Sequence, residues 1–355
     1  MRIAIDIQGL QSEGSRTRGI GRYSREVVKN ILNNYPDDEI ILVANASLLD
    51  LKVEYKQYLI SKNVMYFEWY APCPLDFISN NQLNIKVGKL LRSYAFSCLN
   101  ADLILLTSFI EGFSDNCLTD FDHEFINIPI VSIFYDLIPL LNPNLYLNTN
   151  PSFAKYYKAK LKGLRRLDAL LAISESSALE AKKYLNFENN KVFNISSACD
   201  KNIFSKISNG KQNNNIDFQS ISPFILYSGA SDPRKNVQGL LQAYSLLPSN
   251  LKNYSLVLVG NLLAPEVNLI DNWIKLYNID PKKIVKTGYI SDLDLAEFYR
   301  NCSLFVFPSF HEGFGLPILE AMSCGAPVIG SNSTSIPEII VQEDALFDPH
   351  NIEEI

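Results

Sequence analysis

In the N-terminal half of the chain, short apolar runs alternate with longer stretches whose apolar positions have helical spacing. The runs are typical of buried strands, and the longer stretches are typical of amphipathic helices. The pattern predicts strands near 2–7, 40–44, 64–68, 102–107, 129–135, 169–173 and 191–195, and helices near 19–34, 83–98, 151–166 and 175–185. Strands that alternate with helices indicate a parallel sheet covered on both faces.

The alternation restarts after a polar, asparagine-rich segment at 206–220, which has no apolar period and is predicted to be a linker. Further strands are predicted at 224–229, 255–259, 284–286, 304–307 and 327–330, again with helices between them. We therefore predict an α/β chain of two doubly wound, Rossmann-like domains, 1–205 and 221–355. Ligands of such sheets bind at the carboxyl ends of strands, so we expect the active site in a cleft between the domains.

One segment of the second domain predicts a strand, a glycine-containing loop and a helix. The strand is 303–307, Pro317 falls in the first turn of the helix, and Gly325 follows its last turn. The unpaired N–H groups of a first helical turn favour an anion. Glu312 and Glu320 stand on either side of this helix start, and carboxylates accept hydrogen bonds from hydroxyl groups. Hydroxyls beside a phosphate suggest a nucleotide sugar.

From 311 to 328 this segment reads His-Glu-Gly-Phe-Gly-Leu-Pro-Ile-Leu-Glu-Ala-Met-Ser-Cys-Gly-Ala-Pro-Val. Over its whole length, rather than in the spacing of the glutamates alone, it resembles the signature of glycosyltransferase family 4. The resemblance implies a retaining enzyme of the two-domain GT-B type that transfers a hexose from a nucleoside-diphosphate sugar. Members of that family usually continue with further helices, so we expect the C-terminal helices of the fold to be missing from this chain.

The resemblance also implies roles at the donor. Glu312 would contact the sugar, Glu320 would accept hydrogen bonds from the ribose hydroxyls, and N–H groups of Phe314, Gly315 and Leu316 would hold phosphate.

Two further loops are interpreted through the family. The loop with Tyr289 and Ile290 would border the nucleotide base, with a plain helix entry as the alternative. At 331–335 the family usually has a glycine-rich turn, where this chain has Ser-Asn-Ser-Thr-Ser.

A cationic pair follows the first strand of the second domain. Gly229 ends that strand, and Arg234 and Lys235 lie in the turn before a predicted helix. Cations at a helix start oppose the helix dipole, so the pair indicates an anion there. In the family such a pair binds the donor diphosphate. Lys235 matches the usual lysine, and Arg234 replaces an arginine that the family places where this chain has Ala230. With Glu312, the pair forms the predicted catalytic set.

On the acceptor side, Gly19 and Gly21 nearly match the dinucleotide-binding fingerprint. The loop at 8–18 is too long for its tight turn, and the next strand ends at Asn45 without an acid to hold a ribose, so we reject a nicotinamide enzyme. The resemblance places this glycine loop across from the donor phosphates. The alternative is an ordinary loop whose glycines only start a helix.

Polar residues also end two other strands of the first domain. Ser108 follows one of them, and Tyr135 and Asp136 close the next. Relatives often have, at the position of Tyr135, a histidine that contacts the donor sugar. A tyrosine can donate a hydrogen bond to a hydroxyl but cannot act as a base near neutral pH. Asp136 either binds the acceptor or caps a turn.

Composition narrows the class of protein. The 355 residues are 47% hydrophobic with a net charge of −6, which disfavours a nucleic-acid partner. No apolar run is long enough for a membrane span, and the chain begins directly with a strand, so no signal peptide is predicted. The six scattered cysteines indicate reduced thiols in a cytoplasmic protein. No cofactor is expected, and the resemblance implies transfer without a metal ion, with Arg234 and Lys235 in the place of Mg²⁺.

The segment 155–166 is rich in lysine, arginine and tyrosine. It predicts either a solvated helix face or a basic, aromatic surface for the inner face of an anionic membrane. The combined prediction is transfer of a hexose, by resemblance mannose from GDP-mannose, to a glycan or lipid-linked glycan in bacterial polysaccharide synthesis. The alternatives are an epimerase or phosphorylase on the same scaffold, and a non-catalytic glycan-binding domain of the GT-B type.

Overall fold

The protein is described by a computed structural model that covers residues 1–207, 218–229 and 232–355. The chain divides into two compact units, Met1–Ser196 and Ser197–Ile355. Each unit contains one parallel sheet with helices between most successive strands. The predicted fold class, two doubly wound α/β units, is confirmed.

The first unit contains a seven-stranded sheet. Its strands are β1 (Arg2–Asp6), β2 (Glu39–Asn45), β3 (Val64–Trp69), β4 (Leu103–Leu106), β5 (Ile130–Phe134), β6 (Ala169–Ala172) and β7 (Val192–Asn194). They pair in the order β3-β2-β1-β4-β5-β6-β7. Its helices are α1 (Gln8–Gln11), α2 (Gly19–Asn34), α3 (Lys52–Tyr55), α4 (Gln82–Ser97), α5 (Ile138–Leu141), α6 (Pro143–Tyr146), α7 (Pro151–Leu164) and α8 (Glu175–Leu185). The predicted strands are present, with small shifts of their ends.

The segment predicted as an open loop after β1 contains the short helix α1. The side chain of Gln8 donates from Nε2 to Asp6 at 3.1 Å. Gln11 donates from Nε2 to the carbonyl of Asn45 at 3.1 Å, and its Oε1 accepts from Asn45 N–H at 2.9 Å. These amide side chains attach α1 to the ends of β1 and β2. The apolar pattern misses the helix because the residues that hold it are polar.

The second unit contains a six-stranded sheet. Its strands are β8 (Phe224–Ser228), β9 (Ser255–Val259), β10 (Ile284–Gly288), β11 (Leu304–Phe307), β12 (Val328–Ser331) and β13 (Leu346–Phe347), in the order β10-β9-β8-β11-β12-β13. Its helices are α9 (Phe218–Ile221), α10 (Val237–Ser245), α11 (Ala264–Leu276), α12 (Asp292–Asn301) and α13 (Leu316–Cys324). We did not predict β13, because two residues are too few to form an apolar run.

The division between the units lies before Ser197, whereas the sequence places the first domain boundary at 205. Phe204 is buried and packs 6.2 Å from the ring of Tyr299, and Arg300 donates to the carbonyls of Ile203 and Ser205. These contacts attach the segment to the second unit. Most of the predicted linker, 208–217, lies outside the described residues. Its last part is not a linker, since α9 packs Phe218 against the buried core of the second unit.

Strand order reverses once in each sheet, between β1 and β4 and between β8 and β11. The loops that follow these pairs of strands therefore leave the same edge of the sheet side by side. In doubly wound sheets a crevice opens at such a point and binds ligands. In the second unit, Gly229 and the turn with Arg234 and Lys235 follow β8, and Glu312 follows β11, so these predicted site residues lie at the reversal. Tyr289 and Ile290 follow β10, two strands away from it. In the first unit Ser108 follows β4, and Tyr135 and Asp136 follow the neighbouring strand β5.

Candidate functional site

In the second unit, the loops after β8 and β11 are joined to each other. The N–H of Phe310 donates to the carbonyl of Arg234 at 2.8 Å, and Nη1 of Arg234 donates to the carbonyl of His311 at 3.0 Å. Each loop therefore fixes the position of the other at the reversal of the sheet.

The three predicted catalytic residues form one cluster there. One carboxylate oxygen of Glu312 lies 2.8 Å from Nη1 of Arg234, and the other lies 2.5 Å from Nζ of Lys235. Nζ of Lys235 also lies 5.1 Å from the centroid of the Phe307 ring. Burial would raise the pKa of Glu312, but the charges of Lys235 and Arg234 outweigh it and lower the pKa to about 2. The carboxylate is therefore ionised at neutral pH.

The sequence predicted an anion beside these two cations, and in the structure that negative charge comes from carboxylates of the protein itself. The cations lie in a short 3-10 turn before α10, and Asp232 caps this turn by accepting from Arg234 N–H at 3.0 Å. Asp232 and Glu312 supply the negative charge that the sequence predicted for a ligand. Ala230, where the family has its arginine, lies outside the described residues.

Hydroxyl groups after β12 hold the loop that carries Glu312. The side chain of Thr334 accepts from Glu312 N–H at 3.0 Å, and Ser335 donates to the carbonyls of Glu312 and Phe314 at 3.0 and 2.5 Å. Thr334 has a φ of 50°, which is rare for a β-branched residue. The sequence shows a serine- and threonine-rich segment where the family has glycines, but the structure is needed to see that these hydroxyls bind the backbone of the Glu312 loop.

The helix predicted after this loop is α13. Gly315 precedes it with a φ of 120°, a conformation that strongly favours glycine, and Pro317 lies in its first turn. Phe314 is buried and Leu316 is half-buried, so their side chains belong to the packing of the loop. The site roles of Phe314, Gly315 and Leu316 rest on their backbone and remain predictions.

Glu320 on α13 is buried, and its Oε2 lies 3.4 Å from the hydroxyl of Tyr299. That hydroxyl lies 2.8 Å from Oγ of Ser228, the last residue of β8. The chain of contacts brings Glu320 toward the strand end beside Gly229. A Cβ on Gly229 would lie 2.8 Å from the hydroxyl of Tyr227, so the backbone is closely approached there. Sequence reasoning missed Tyr299, since nothing in its own segment indicates this contact.

The two residues predicted near the base differ in their surroundings. Ile290 packs against the core of the second unit. Tyr289 is 80% exposed. The ring of Tyr289 is open to solvent, whereas the side chain of Ile290 is part of the packing. The contact of either residue with a nucleotide base stays a prediction.

In the first unit, the two glycines in the first turn of α2 are not equivalent. A Cβ on Gly21 would lie 2.5 Å from backbone atoms of Ser15 and Arg16, whereas a Cβ on Gly19 would meet nothing within 4 Å. Gly21 N–H donates to the carbonyl of Ser15 at 3.1 Å. Gly21 therefore permits the loop to close on the helix, and Gly19 has no such steric role.

Tyr135, Asp136 and Ser108 all hydrogen-bond to neighbouring protein groups. The hydroxyl of Tyr135 lies 2.7 Å from Oγ of Ser24 and donates to the carbonyl of Thr107 at 3.0 Å, which ties α2 to the end of β4. Asp136 accepts from Ile138 N–H at 2.9 Å and so caps a turn. Ser108 donates to Glu111 at 2.8 Å. Burial raises the pKa of Glu111 to about 7, against a lowering by Ser108. We did not predict Glu111 as a site residue.

A cavity of about 170 Å³ brings these three residues together in the first unit. Its wall is mostly aromatic and aliphatic, with the polar groups of Ser108, Tyr135 and Asp136 among them. The remaining lining residues include Ile20, between the two glycines, and Phe109, Phe153 and Tyr157.

The basic segment of α7 separates into two faces. Tyr156 and Tyr157 are buried in the core of the first unit, and Lys160 is buried with its Nζ 2.7 Å from Oγ1 of Thr119. The exposed face carries the cations Lys155, Lys158, Lys162, Arg165 and Arg166. The idea of a basic, aromatic surface is therefore wrong for the tyrosines.

Residues 209–355 match the family model of glycosyl transferases group 1. The chain carries a glycosyltransferase group 1 domain. The whole chain is 36% identical over 363 aligned residues to the serotype-specific mannosyltransferase WbdA of Escherichia coli, and spans 43% of the length of that protein. It is 29% identical to O-antigen chain mannosyltransferase B of Escherichia coli, over 95% of this chain and 84% of that one. The predicted resemblance to this group of glycosyltransferases is confirmed.

Solved structures agree with the fold. The crystal structure of Anabaena HepE in complex with UDP and glucose superposes with a TM-score of 0.69 at 18% identity, covering 100% of this chain and 87% of that one. At this identity the likeness shows the GT-B fold alone.

In the part of the chain that the structure describes, no helix combines the length and apolar character needed to cross a bilayer. Within residues 1–207, 218–229 and 232–355, no three His, Cys, Asp or Glu side chains are grouped as a metal ion would need. Metal-independent transfer stays a prediction.

Proposed function

We propose that this glycosyltransferase domain transfers a hexose with retention of anomeric configuration, from a nucleoside-diphosphate sugar to a hydroxyl of a glycan or lipid-linked glycan. The donor proposed is GDP-mannose. The observation that carries the proposal is the cluster of Glu312, Arg234 and Lys235 at the reversal of the second sheet, beside the start of α13. The mannosyltransferase names of the similar proteins support the choice of sugar and a role in bacterial polysaccharide synthesis.

In the proposed reaction, the bond from the anomeric carbon to the acceptor oxygen forms and the bond to the diphosphate breaks. The proton of the acceptor hydroxyl leaves with the phosphate. Arg234, Lys235 and the N–H groups at 314–316 stabilise the negative charge of the leaving diphosphate. Each such contact contributes about 2–4 kcal/mol to the transition state. Glu312 accepts hydrogen bonds from the sugar, and Glu320 from the ribose.

We place the acceptor near the first unit's cavity, because aromatic side chains with a few polar groups suit the C–H face and hydroxyls of a sugar. We also propose that the protein acts in the cytoplasm at the inner face of the membrane. The exposed cations of α7 support this, since each Lys or Arg near an anionic surface contributes about 1 kcal/mol.

A panel of nucleotide sugars tests the donor. Among these nucleotide sugars, GDP-mannose should raise the melting temperature of the purified chain most. The chain should also transfer labelled mannose from GDP-mannose to a lipid-linked glycan. The variant Lys235→Met should lose both responses. Release of sugar phosphate from a glycan would favour a phosphorylase, and altered sugar without acceptor would favour an epimerase. A chain that binds no nucleotide sugar would contradict the proposal.

A further inference from the structure

The carboxylate of Glu312 uses both of its oxygens on the two cations proposed for the donor diphosphate. The Nη1 atom of Arg234 lies 2.8 Å from one oxygen, and Nζ of Lys235 lies 2.5 Å from the other. The side chain of Glu312 is 9% exposed, that of Lys235 is 13% exposed, and that of Arg234 is 21% exposed. Little of either cation is left uncovered for a second anion.

An arriving diphosphate is opposed by this carboxylate in two ways. The carboxylate already accepts the hydrogen bonds that the diphosphate needs, and it is a like charge at close range in a site with little water to screen it. Thr334 and Ser335 hold the backbone N–H and carbonyl of Glu312, so they oppose a shift of the loop that would withdraw the carboxylate from the site.

A buried carboxylate that gives up its cations must find other hydrogen-bond donors, or its burial becomes costly. The hydroxyl groups of a sugar attached to the diphosphate are such donors. A nucleoside diphosphate without the sugar brings the same opposing charge and none of these hydroxyls.

We propose that Glu312 sets the preference of the site for the intact nucleotide sugar over the nucleoside diphosphate that the reaction leaves behind. This rests on the proposed function. Glu312 weakens binding of the product through repulsion and competition, and the sugar hydroxyls offset the same effect for the donor. The residue is thereby a specificity determinant that favours product release.

The chain offers a matched control in Asp232. Its Oδ1 lies 3.7 Å from Nε of Arg234, so it places a negative charge beside the same cation. It is 30% exposed, it caps its own turn, and it forms an ion pair with Arg234. Asp232→Asn keeps an oxygen for the cap and removes the charge, so it should change the affinities of donor and product by similar factors.

Calorimetry without acceptor should measure the dissociation constants of GDP and GDP-mannose, with UDP and UDP-glucose as a second pair, for the wild-type chain, Glu312→Gln and Asp232→Asn. We expect wild type to bind GDP-mannose at least tenfold more tightly than GDP. In Glu312→Gln, GDP should bind at least tenfold more tightly than in wild type, and the preference for the sugar form should disappear. Asp232→Asn should keep the preference within twofold.

The wild-type ratio is informative even where Glu312→Gln fails to fold. Wild type that binds GDP as tightly as GDP-mannose would overturn the inference, and so would Glu312→Gln that binds GDP no more tightly than wild type. In both results the proposed function would stand, since the donor binds. A wild-type chain that binds neither pair would remove the proposed function and this inference with it.

Discussion

The strands of both units follow the same order around the reversal, with one more strand in the first unit, but the loops at the reversal are held by different kinds of contact. In the second unit the loops meet in an ion cluster in which Arg234 is 21% exposed. In the first unit, glutamine and asparagine side chains hold the loop after β1. The ion pair that Asp6, at the end of β1, forms with Arg92 is fully buried, with the side chain of Asp6 1% exposed and that of Arg92 0% exposed. A fully buried ion pair fixes the loop in the first unit, whereas the partly exposed cluster of the second unit is the one that we propose exchanges partners with a ligand.

Arg92 forms the buried ion pair of the first unit. Its Nη2 lies 2.6 Å from Asp6, and its guanidinium carbon lies 4.1 Å from the centroid of the Phe121 ring and 4.7 Å from that of Phe96. Asp6 also accepts from Gln8 N–H at 3.0 Å. The pair therefore connects the buried face of α4 to the start of the loop after β1.

The largest expected change in stability comes from breaking this buried ion pair. Asp6→Ala should lower the free energy of unfolding of the first unit by about 3–5 kcal/mol, because it leaves the charge of Arg92 buried without its partner. Urea unfolding followed by the fluorescence of Trp69, in a Trp273→Phe background, reports on this unit alone. Glu39→Gln, which removes an exposed partner of Arg2, should cost less than about 1 kcal/mol. Equal costs for the two variants would contradict the distinction.

In the second unit, the corresponding change should act mainly on activity. Lys235→Met should lower kcat/KM for mannosyl transfer roughly 10²-fold or more, since a charge-assisted contact to the leaving diphosphate is lost. The variant should also lose stability, because Glu312 loses one of the two cations with which it forms ion pairs. Lys286→Met removes a cation that pairs with Asp271 instead and should leave transfer almost unchanged. Full activity of Lys235→Met would exclude its contact with the diphosphate.

The ion cluster should also give the second unit a characteristic dependence on pH. Burial disfavours the ionised Glu312, but the two cations lower its pKa from 4.5 to about 2. A lowered pKa means that the carboxylate stabilises the folded state above about pH 4.5 and that this contribution, about 3 kcal/mol, is lost as the pH falls toward 2. Unfolding measured by Trp273 fluorescence, in a Trp69→Phe background, should show a steeper loss of stability for the wild-type residue than for Glu312→Gln. Parallel pH profiles would contradict the ion cluster.

The smallest effect distinguishes the two glycines of the first unit. Gly21→Ala should destabilise that unit by about 1–3 kcal/mol, because the new Cβ overlaps the backbone of Ser15 and Arg16. Gly19→Ala should be neutral or stabilise it by up to about 1 kcal/mol, since the position is open and helical. The difference between the two melting temperatures is the measurement. Two alanine variants of equal stability would show that the loop does not pack on α2 as described.

The elements that sequence alone predicts well are those with a strong local signal. The strand β9 is buried on both faces and therefore reads as a continuous apolar run. The helix α8 is buried on one face and therefore has apolar residues at helical spacing. Both patterns can be recognised without knowing which elements pack against them. The helix α13 was predicted from Pro317 and Gly325, whose backbone preferences act locally. The domain boundary at 205 missed the contacts of Phe204, since its packing partner Tyr299 is far away in the chain.

The same distinction holds for the candidate site. The residues proposed for the chemistry could be recognised from the sequence alone, because the string around Glu312 and the pair Arg234–Lys235 are distinctive in their residue types. The structure is needed to see that these charges pair with one another, that Thr334 and Ser335 hold the loop of Glu312, and that Tyr135 donates to the protein's own backbone. These are contacts between segments distant in sequence, and such contacts depend on how strands pair, which no local pattern of polar and apolar positions specifies.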